Sequence, residues 1–288
     1  MAKFTCCWNS RLPVAALALA GFAALVGGAM SSVAAERTAF KVCADPFNLP
    51  FSNEEQQGFE NKIAELFAEQ LNLPVEYTFF PQRIGFIRNT LRSEIRPGEY
   101  KCDVVIGVPD GFELAATTKP YYSSAWAMVY VKGRGLDDVK TPEDLANLPP
   151  ERKKQLKVGL FDRGPAQLWV FKNGLMEQMV PYRMMSGDAR EYPGQIVERD
   201  LVDGKIDVTI IWGPIAGYFA KQIDSAEIIV IPMASDPDDP EMRFNYNIAM
   251  AVRHSDREWK KQLNQLIDQN RDEIREILVD YGVPLIEE

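Results

Sequence analysis

The sequence predicts an α/β protein made of two successive units in which strands and helices alternate. Two observations predict it. From residue 39 to residue 108, strand-like segments and segments with helical apolar spacing follow one another in the order β-α-β-α-β. This order is typical of a parallel sheet with right-handed crossovers. A second alternating set begins at residue 125, and a long amphipathic helix closes the chain.

The first unit is predicted to hold three strands and two helices. Residues 59–71 carry apolar side chains at 59, 63, 66, 67 and 71, which is the spacing of one helix face. Residues 102–108 (CDVVIGV) form a continuous apolar run, as expected of a strand that is buried on both faces. The other predicted elements are strands at 39–44 and 74–80 and a helix at 83–93.

The second unit opens with a predicted strand at 125–133. Thr141 is expected to cap a short helix, with Pro142 in its first turn. The remaining predicted elements are strands at 157–161, within 198–212, at 227–233 and at 247–252, and helices at 166–175 and 214–222.

The closing helix has start and stop signals of its own. Ser255 and Glu258 have the spacing of a capping box, in which the two residues satisfy each other's backbone N–H groups. Gly282 and Pro284 are expected to end the helix.

The first 35 residues have the pattern of an export signal. Lys3 and Arg11 supply a positive segment before an apolar run at 12–26, and Val33 and Ala35 stand where a signal peptidase reads small residues. The run is shorter than the roughly 20 residues that span a bilayer. We therefore predict a signal peptide at 1–35, with an uncleaved anchor as the alternative. No membrane span is expected in the mature chain.

The charge of the chain limits its partners. The formal net charge is −9, and it becomes −11 when Lys3 and Arg11 leave with the signal. An acidic surface argues against nucleic acid and anionic lipid as partners. A basic protein partner or a cationic ligand remains compatible with it.

Few residues are suited to catalysis or metal binding. His254 is the one histidine, so a Ser-His-Asp or Cys-His site has no evident base. One histidine with Cys43 and Cys102 makes neither a zinc nor a copper site, and no phosphate-binding glycine loop occurs. We predict a protein that is not an enzyme and has no cofactor or metal. The two cysteines form either one disulfide or two buried thiols.

Several segments resemble the solute-binding proteins of amino-acid-type ABC transporters. They are KVCADPFNLPFS at 41–52, CDVVIGVPD at 102–110, TKPYYSSAWAMVYVKG at 118–133 and VDGKIDVTIIWGPIAGYFAKQ at 202–222. The resemblance implies a two-lobed type II periplasmic binding protein fold, joined by two hinge strands near 131–133 and 245–248. It implies a lobe 1 at 36–131 plus 246–288, a lobe 2 at 132–245, and a ligand cleft between them.

Two residues that transporter proteins use to hold an amino acid are replaced. The segment where the resemblance places an arginine for the carboxylate carries Asp110 and Glu113 and no arginine. The position of the aspartate that takes the ammonium is Trp212. A buried carboxylate without its arginine costs several kcal/mol, so a standard amino acid is not the expected ligand. Arg163 either replaces the lost cation beside a helix N-terminus or is a surface residue paired with Asp162.

The predicted cleft is rich in aromatic residues. Such residues suit a peptide or an apolar surface, although several could belong to the cores of the lobes. Core burial is favoured for Trp126, and the cleft is favoured for Trp212 because it ends a strand. The cleft residues expected from the resemblance and the pattern are Asp45, Asn48, Phe51, Asp110, Phe112, Arg163, Gly164 and Trp212.

A narrower resemblance concerns accessory proteins of PQQ-dependent methanol dehydrogenases. These are the J proteins of the calcium-type and lanthanide-type systems, also described as quinoprotein dehydrogenase-associated substrate-binding proteins. The segments that carry it are PDGFELAATTKPYY at 109–122, WVFKNGL at 169–175 and YGVPL at 281–285. It implies a periplasmic accessory protein that supports maturation or activation of the dehydrogenase, with that enzyme as its partner and a small molecule or peptide in the cleft.

Three alternatives remain open. The chain could be a receptor for a small solute other than an amino acid. It could be a lyase that uses Asp45 or Asp110 as acid or base, or it could deliver a metal through the acidic segment at 231–242.

Overall fold

The computed structural model describes residues 37–183, 188, 190–235 and 239–286. The predicted signal segment at 1–35 lies outside these residues. Within these residues, none of the helices has the length and hydropathy of a membrane span. The first half holds β1 (Phe40–Ala44), β2 (Phe47–Asn48), β3 (Ser52–Asn53), α1 (Phe59–Gln70), β4 (Val75–Phe79), α2 (Phe86–Asn89), β5 (Glu94–Arg96), β6 (Glu99–Tyr100), β7 (Val104–Pro109) and β8 (Ala116–Val131).

The second half continues this alternation of strands and helices. It contains short 3-10 turns at Met176–Gln178 and Pro240–Met242 and a π-helical turn at Ile196–Leu201. The other elements are α3 (Pro142–Ala146), α4 (Pro150–Lys153), β9 (Val158–Phe161), α5 (Pro165–Lys172), β10 (Met179–Tyr182), β11 (Val208–Trp212), α6 (Gly213–Gln222), β12 (Ile228–Pro232), β13 (Asn245–Val252), α7 (Arg257–Gln269) and α8 (Arg271–Asp280).

Among the described residues, nine strands form one sheet in the order β10-β9-β11-β8-β13-β7-β1-β4, with β12 also paired to β8. Strand β1 runs parallel to β4 and β7, and β9 runs parallel to β10 and β11. The long strand β8 is antiparallel to β11, β12 and β13. Two parallel units are therefore joined through antiparallel strands, which confirms the predicted two-lobed α/β fold.

Strand β8 passes from one unit to the other at Trp126. Up to Ala125 it pairs with β13, and from Trp126 onward it pairs with β11. The Trp126 N–H donates to the carbonyl of Phe244 at 3.0 Å, and the Trp126 carbonyl accepts from the N–H of Met233 at 2.8 Å. The change of partners falls before the hinge predicted at 131–133. The lobe limits at 36–131 plus 246–288 and at 132–245 stay a prediction.

The core of the first lobe lies between the helices α1, α7 and α8 and the strands β1, β7 and β13. Phe40 is fully buried and makes edge contacts with Phe67 and Trp259 at centroid distances of 6.3 and 5.6 Å. Burying side chains of this size contributes about 1.5–3 kcal/mol each. The second lobe packs apolar side chains on both faces of β8 and β11, including Met128, Leu160 and Ile211.

Cys43 and Cys102 form a disulfide in the first lobe. Their Cα atoms are 5.4 Å apart, and both side chains are buried in an apolar cluster with Phe86 and Leu91. Of the two alternatives left open by the sequence, the structure has the disulfide rather than two free thiols.

Two predicted helices differ from those observed. The helix predicted at 83–93 shortens to α2, because Gly85 has φ +90° and the buried Thr90 turns its hydroxyl back to the Phe86 carbonyl at 2.7 Å. The closing helix is interrupted at Asn270. This residue is buried, and its side-chain amide donates to the Leu266 carbonyl at 2.8 Å.

The predicted capping box at Ser255 and Glu258 was wrong. Helix α7 begins at Arg257 after Asp256, whose carboxylate pairs with the buried Arg253 at 2.5 Å. Ser255 donates to that same carboxylate at 3.0 Å, and Glu258 pairs with Lys261. The ion pair with Arg253 therefore sets the start of the helix.

Candidate functional site

Two cavities lie in the cleft where the lobes face each other. The aromatic cavity has a volume of about 310 Å³ and is lined by Phe51, Glu60, Gln82, Gly107, Val108, Pro109, Tyr122, Trp126, Trp212, Tyr246 and Ile248. The polar cavity has a volume of about 850 Å³. The first lobe lines it with Asp45, Phe47, Asn48, Gln82 and Arg83, and the second lobe lines it with Phe161, Pro181, Tyr182, Arg183, Asp188, Glu191, Tyr192, Pro193, Gln195, Ile196, Arg199, Asp200 and Lys205. Gln82 lines both.

The strand register places the indoles of the aromatic cavity. Trp126 on β8 stands directly opposite Trp212 on β11, so the two side chains lie on the same side of the sheet. Trp212 also meets Tyr246 of β13 edge to face, with centroids 5.9 Å apart. Phe51 and Trp212 pack against the cores of both lobes. The aromatic cavity therefore sits beside the point where β8 crosses between the lobes.

Glu60, the second residue of α1, supplies a carboxyl group to this apolar wall. Its side chain is almost fully buried, with 8% of its surface exposed. A Cβ atom at Gly107 of β7 would lie 2.1 Å from the Glu60 Oε1. Any side chain at that position would therefore require the carboxyl group of Glu60 to move. The start of the helix is fixed by Asn61, whose Oδ1 accepts from the Gly58 N–H at 3.0 Å.

The carboxyl group of Glu60 lacks a compensating partner in the described part of the chain, where it makes neither a hydrogen bond nor an ion pair. Burial, and secondarily the charge of Asp45, raises the pKa of Glu60 from 4.5 to about 8. Glu60 is therefore mostly protonated at neutral pH when the cavity holds no cation.

The tyrosines near Glu60 stay neutral. Burial, followed by the charge of Glu60, raises the pKa of Tyr122 well above its usual value. Burial also dominates the raised pKa of Tyr121, with Tyr122 and Glu60 as the lesser causes. The Tyr121 hydroxyl has no hydrogen-bond partner among the described residues. Glu60 is thus the group of this wall that can carry a charge near neutral pH.

The polar cavity contains charged groups that are already engaged. Asp45 accepts hydrogen bonds from the N–H groups of Phe47 and Gln82. Burial raises the pKa of Asp45, although these two hydrogen bonds and Arg83 oppose the shift. Asp200 accepts from the Tyr182 hydroxyl at 2.8 Å and from Lys205 at 2.7 Å.

Arg83 connects the lobes across the polar cavity. It follows β4 in the first lobe, and its Nη2 donates to the backbone carbonyl of Asp188 in the second lobe at 2.6 Å. A longer contact of 3.5 Å reaches the carbonyl of Glu191. This bond holds the two walls of the polar cavity together.

Four of the eight residues predicted for the cleft line these cavities. Asp45 and Asn48 line the polar cavity, and Phe51 and Trp212 line the aromatic cavity. Trp126, for which core burial was favoured, lines the aromatic cavity as well and also packs against the second core.

The other four predicted residues line neither cavity. Asp110 is exposed and accepts from the Gly111 N–H and the Thr117 hydroxyl. Phe112 packs against the apolar cluster around the disulfide. Arg163 is exposed with φ +63°, and its N–H donates to Gln167 Oε1 at 3.1 Å. Gly164 precedes α5, where an added Cβ would lie 3.3 Å from the Trp126 ring.

Glu60 was missed, although the sequence contains a signal for it. It lies three and four residues before Ile63 and Ala64, so the helical period puts it on the buried face of α1. A carboxyl group on the apolar face of an amphipathic helix is rare and marks a candidate site. Gly107 and Tyr246 carried no comparable signal.

The described residues contain no group of three or more His, Cys, Asp or Glu side chains that could hold a metal ion. The acidic segment at 231–242 is covered only in part, because residues 236–238 lie outside the described ranges.

A cleft between two lobes that are linked by long strands is the architecture of periplasmic solute-binding proteins. No protein-family model matches the chain. The crystal structure of the periplasmic binding protein XoxJ from Methylobacterium extorquens AM1 is 32% identical, with a TM-score of 0.67 over 87% of this chain and 100% of that chain. This chain therefore belongs to the periplasmic binding protein family that includes XoxJ.

Further relatives agree with this assignment. MxaJ from Methlophaga aminisulfidivorans MPT is 27% identical with a TM-score of 0.68, covering 86% of this chain and 100% of that structure. The protein MoxJ of Paracoccus denitrificans is 26% identical over 280 residues, which are 93% of this chain and 95% of MoxJ. An ancestral amino-acid-binding protein, AncCDT-1, is 19% identical with a TM-score of 0.59 and shares the fold.

Proposed function

We propose that this chain is a periplasmic accessory protein that supports the maturation or activation of a PQQ-dependent methanol or alcohol dehydrogenase and catalyses no reaction itself. The observation that carries the proposal is the kinship with XoxJ over the full length of that protein. The sequence resemblance links the J proteins to such dehydrogenases. The predicted signal at 1–35 would deliver the chain to the periplasm, where these enzymes act.

The cleft supports a protein partner better than an amino acid. The segment after β7 offers Asp110 and Glu113 instead of an arginine, and Trp212 replaces the acidic residue that would hold an ammonium. The polar cavity, at about 850 Å³, is larger than most amino acids require. Phe47 stands at its wall with 38% of its surface exposed, as an aromatic anchor for a partner would.

The test is a binding titration of the exported protein against its own dehydrogenase in apo and metal-loaded forms, followed by dye-linked activity. Binding to the apo form with a rise in activity is the expected result. The variant Phe47→Ser should weaken binding about tenfold, as loss of an aromatic anchor does. The matched control is Phe171→Ser on α5, which is exposed (65%) outside the polar cavity and should bind normally. Absence of binding to both forms of the enzyme would overturn the proposal.

A second candidate function is a receptor for a small solute that is not an amino acid. The observation that favours it is the aromatic cavity, which at about 310 Å³ is of a size that suits a small molecule. A melting-temperature screen with small alcohols, acids and amines tests it, because a ligand that binds only the folded state raises the melting temperature. The absence of any shift across the screen would eliminate this candidate.

A further inference from the structure

Glu60 is the feature of the cleft that neither proposed function explains. A carboxyl group that exposes only 8% of its surface ordinarily has hydrogen bonds or an opposite charge. In the described part of the chain it has neither, and it faces the aromatic cavity. The carboxyl group occupies the space beside Gly107, where a Cβ atom would lie 2.1 Å from its Oε1. A buried carboxyl group that lines a cavity and has no partner among the described residues points to a ligand.

The rings around this carboxyl group define the chemistry of that ligand. Trp126, Trp212 and Tyr246 line the same cavity as Glu60. A cation beside the faces of such rings is attracted by their quadrupoles, most strongly where water is excluded. Tyr246 already attracts one cation from the rim, because the guanidinium carbon of Arg243 lies 5.0 Å from its ring centroid. One acidic group among aromatic rings is the arrangement that recognises an organic ammonium.

We propose that the aromatic cavity binds a small organic cation, an ammonium with apolar substituents and no carboxylate of its own. A zwitterion does not fit, because no Arg or Lys of the described residues lines this cavity and the ligand's carboxylate would lie unmatched near Glu60. A hard metal ion does not fit either, since it needs six or more oxygen ligands and Glu60 is the one acidic side chain among the described residues that line the cavity. The net charge of −9 favours the approach of a cation.

This inference does not depend on the accessory role. The residues that carry the two proposals differ, although Gln82 lines both cavities: the cation site uses Glu60 and the rings near the hinge, whereas Phe47 belongs to the polar cavity. Either proposal can therefore fail while the other holds.

The protonation of Glu60 gives the site a pH signature. The groups that bear on its charge are Asp45 after β1 and the neutral tyrosines Tyr77, Tyr121 and Tyr122 on β4 and β8. The charge of Arg83 lowers the pKa of Asp45, and the guanidinium of Arg243 lies over the ring of Tyr246. A cation must displace the proton of Glu60. Affinity should therefore rise about tenfold per pH unit below the pKa near 8 and level off above it.

The experiment is calorimetric titration of the exported protein with choline chloride and tetramethylammonium chloride at several pH values. The neutral isostere of choline, 3,3-dimethylbutan-1-ol, and sodium chloride are the ligand controls. Glu60→Gln keeps the shape and removes the charge, and it should weaken cation binding at least about tenfold. Glu69→Gln, at an exposed position of the same helix, is the matched control and should bind as the parent does. Trp212→Leu should weaken binding about tenfold as well.

Each outcome decides the matter. Saturable cation binding that is lost in Glu60→Gln, retained in Glu69→Gln and strengthened by rising pH supports the site. Four results would overturn the cation site. They are equal binding of the neutral alcohol, unchanged binding in Glu60→Gln, an equal loss in Glu69→Gln, and no heat from either cation at millimolar concentration. Dehydrogenase binding by Glu60→Gln is measured in parallel, so that a defect of the cation site is not mistaken for a failure of the accessory role.

Discussion

The two cavities of the cleft differ in whether their charged side chains have partners within the protein. In the polar cavity, charged groups are engaged with the protein itself, as Arg83 is with the Asp188 carbonyl and Lys205 is with Asp200. In the aromatic cavity, Glu60 is buried and has no such partner among the residues that the structure describes. Several charges of the polar cavity are thus balanced within the protein, whereas the carboxyl group of the aromatic cavity is costly to ionise without a cation beside it. The difference suggests that one cavity meets a partner and the other selects a ligand.

The largest expected effect concerns the stability conferred by position 60. In the unfolded chain Glu60 loses its proton near pH 4.5, but in the folded protein it does so near pH 8. Between these values the folded state holds the extra proton, so stability falls as pH rises, and the full penalty is present above pH 8. Glu60→Gln removes this penalty. We expect a gain on the order of 3 kcal/mol at pH 8.5, or roughly 6–12 °C in melting temperature.

The same variant should match the parent protein at pH 4, where both states of Glu60 are protonated. Urea denaturation at the two pH values measures the difference. A gain that is equal at both would show that Glu60 is not the titrating group, and Glu69→Gln should change neither value because Glu69 is exposed.

The next largest effect tests the close approach of β7 to α1. In Gly107→Ala the new Cβ would lie 2.1 Å from the Glu60 Oε1, so the carboxyl group must move. Overpacking of this kind destabilises by about 1–3 kcal/mol. Adding Glu60→Ala makes room, and the double variant should recover at least about 1 kcal/mol relative to additivity in a double-mutant cycle by urea denaturation. Additive losses would mean that the two residues do not press on each other.

A smaller effect is expected in the polar cavity. Arg83→Met removes the hydrogen bond from the first lobe to the Asp188 carbonyl, which contributes about 1–2 kcal/mol to holding the walls together. Amide hydrogen exchange near Glu191 should speed up about tenfold, while cation binding in the aromatic cavity stays within about threefold. Arg88→Met on the exposed side of α2 is the control. Unchanged exchange near Glu191 would show that the bond does not restrain the lobes.

The sequence predicted the fold well because the fold depends on patterns that are local. The apolar run at 104–108 and the spacing of Phe59, Ile63 and Phe67 are legible in any short window. The break at Asn270 depends on a buried side-chain bond to Leu266, and the start of α7 depends on the ion pair between Asp256 and Arg253. Such tertiary contacts leave little mark on local periodicity, which is why both helix limits were missed.

The candidate site was predicted only where a side chain follows from the end of a strand. Trp212 ends β11 and Asp45 follows β1, so the topology alone brings them to the cleft. Glu60 reaches the aromatic cavity from a helix, through space that Gly107 leaves on another strand. The position of Glu60 therefore depends on how α1 packs on β7. This contact joins residues that are distant in sequence, so no short stretch of the sequence predicts it. Phe112 was predicted for the cleft because it follows β7, but its side chain packs against the apolar cluster near the disulfide.

The smallest expected effect concerns Arg163, which the sequence offered as a replacement cation for the cleft. It is exposed and lines neither cavity, so Arg163→Ala should change ligand affinity in either cavity by less than about twofold. Its φ of +63° is a backbone conformation that favours glycine. Arg163→Gly should therefore stabilise the fold by up to about 1 kcal/mol, measured by urea denaturation. A tenfold loss of ligand affinity in both variants would instead show that Arg163 contacts the ligand, and an anionic ligand would then be expected.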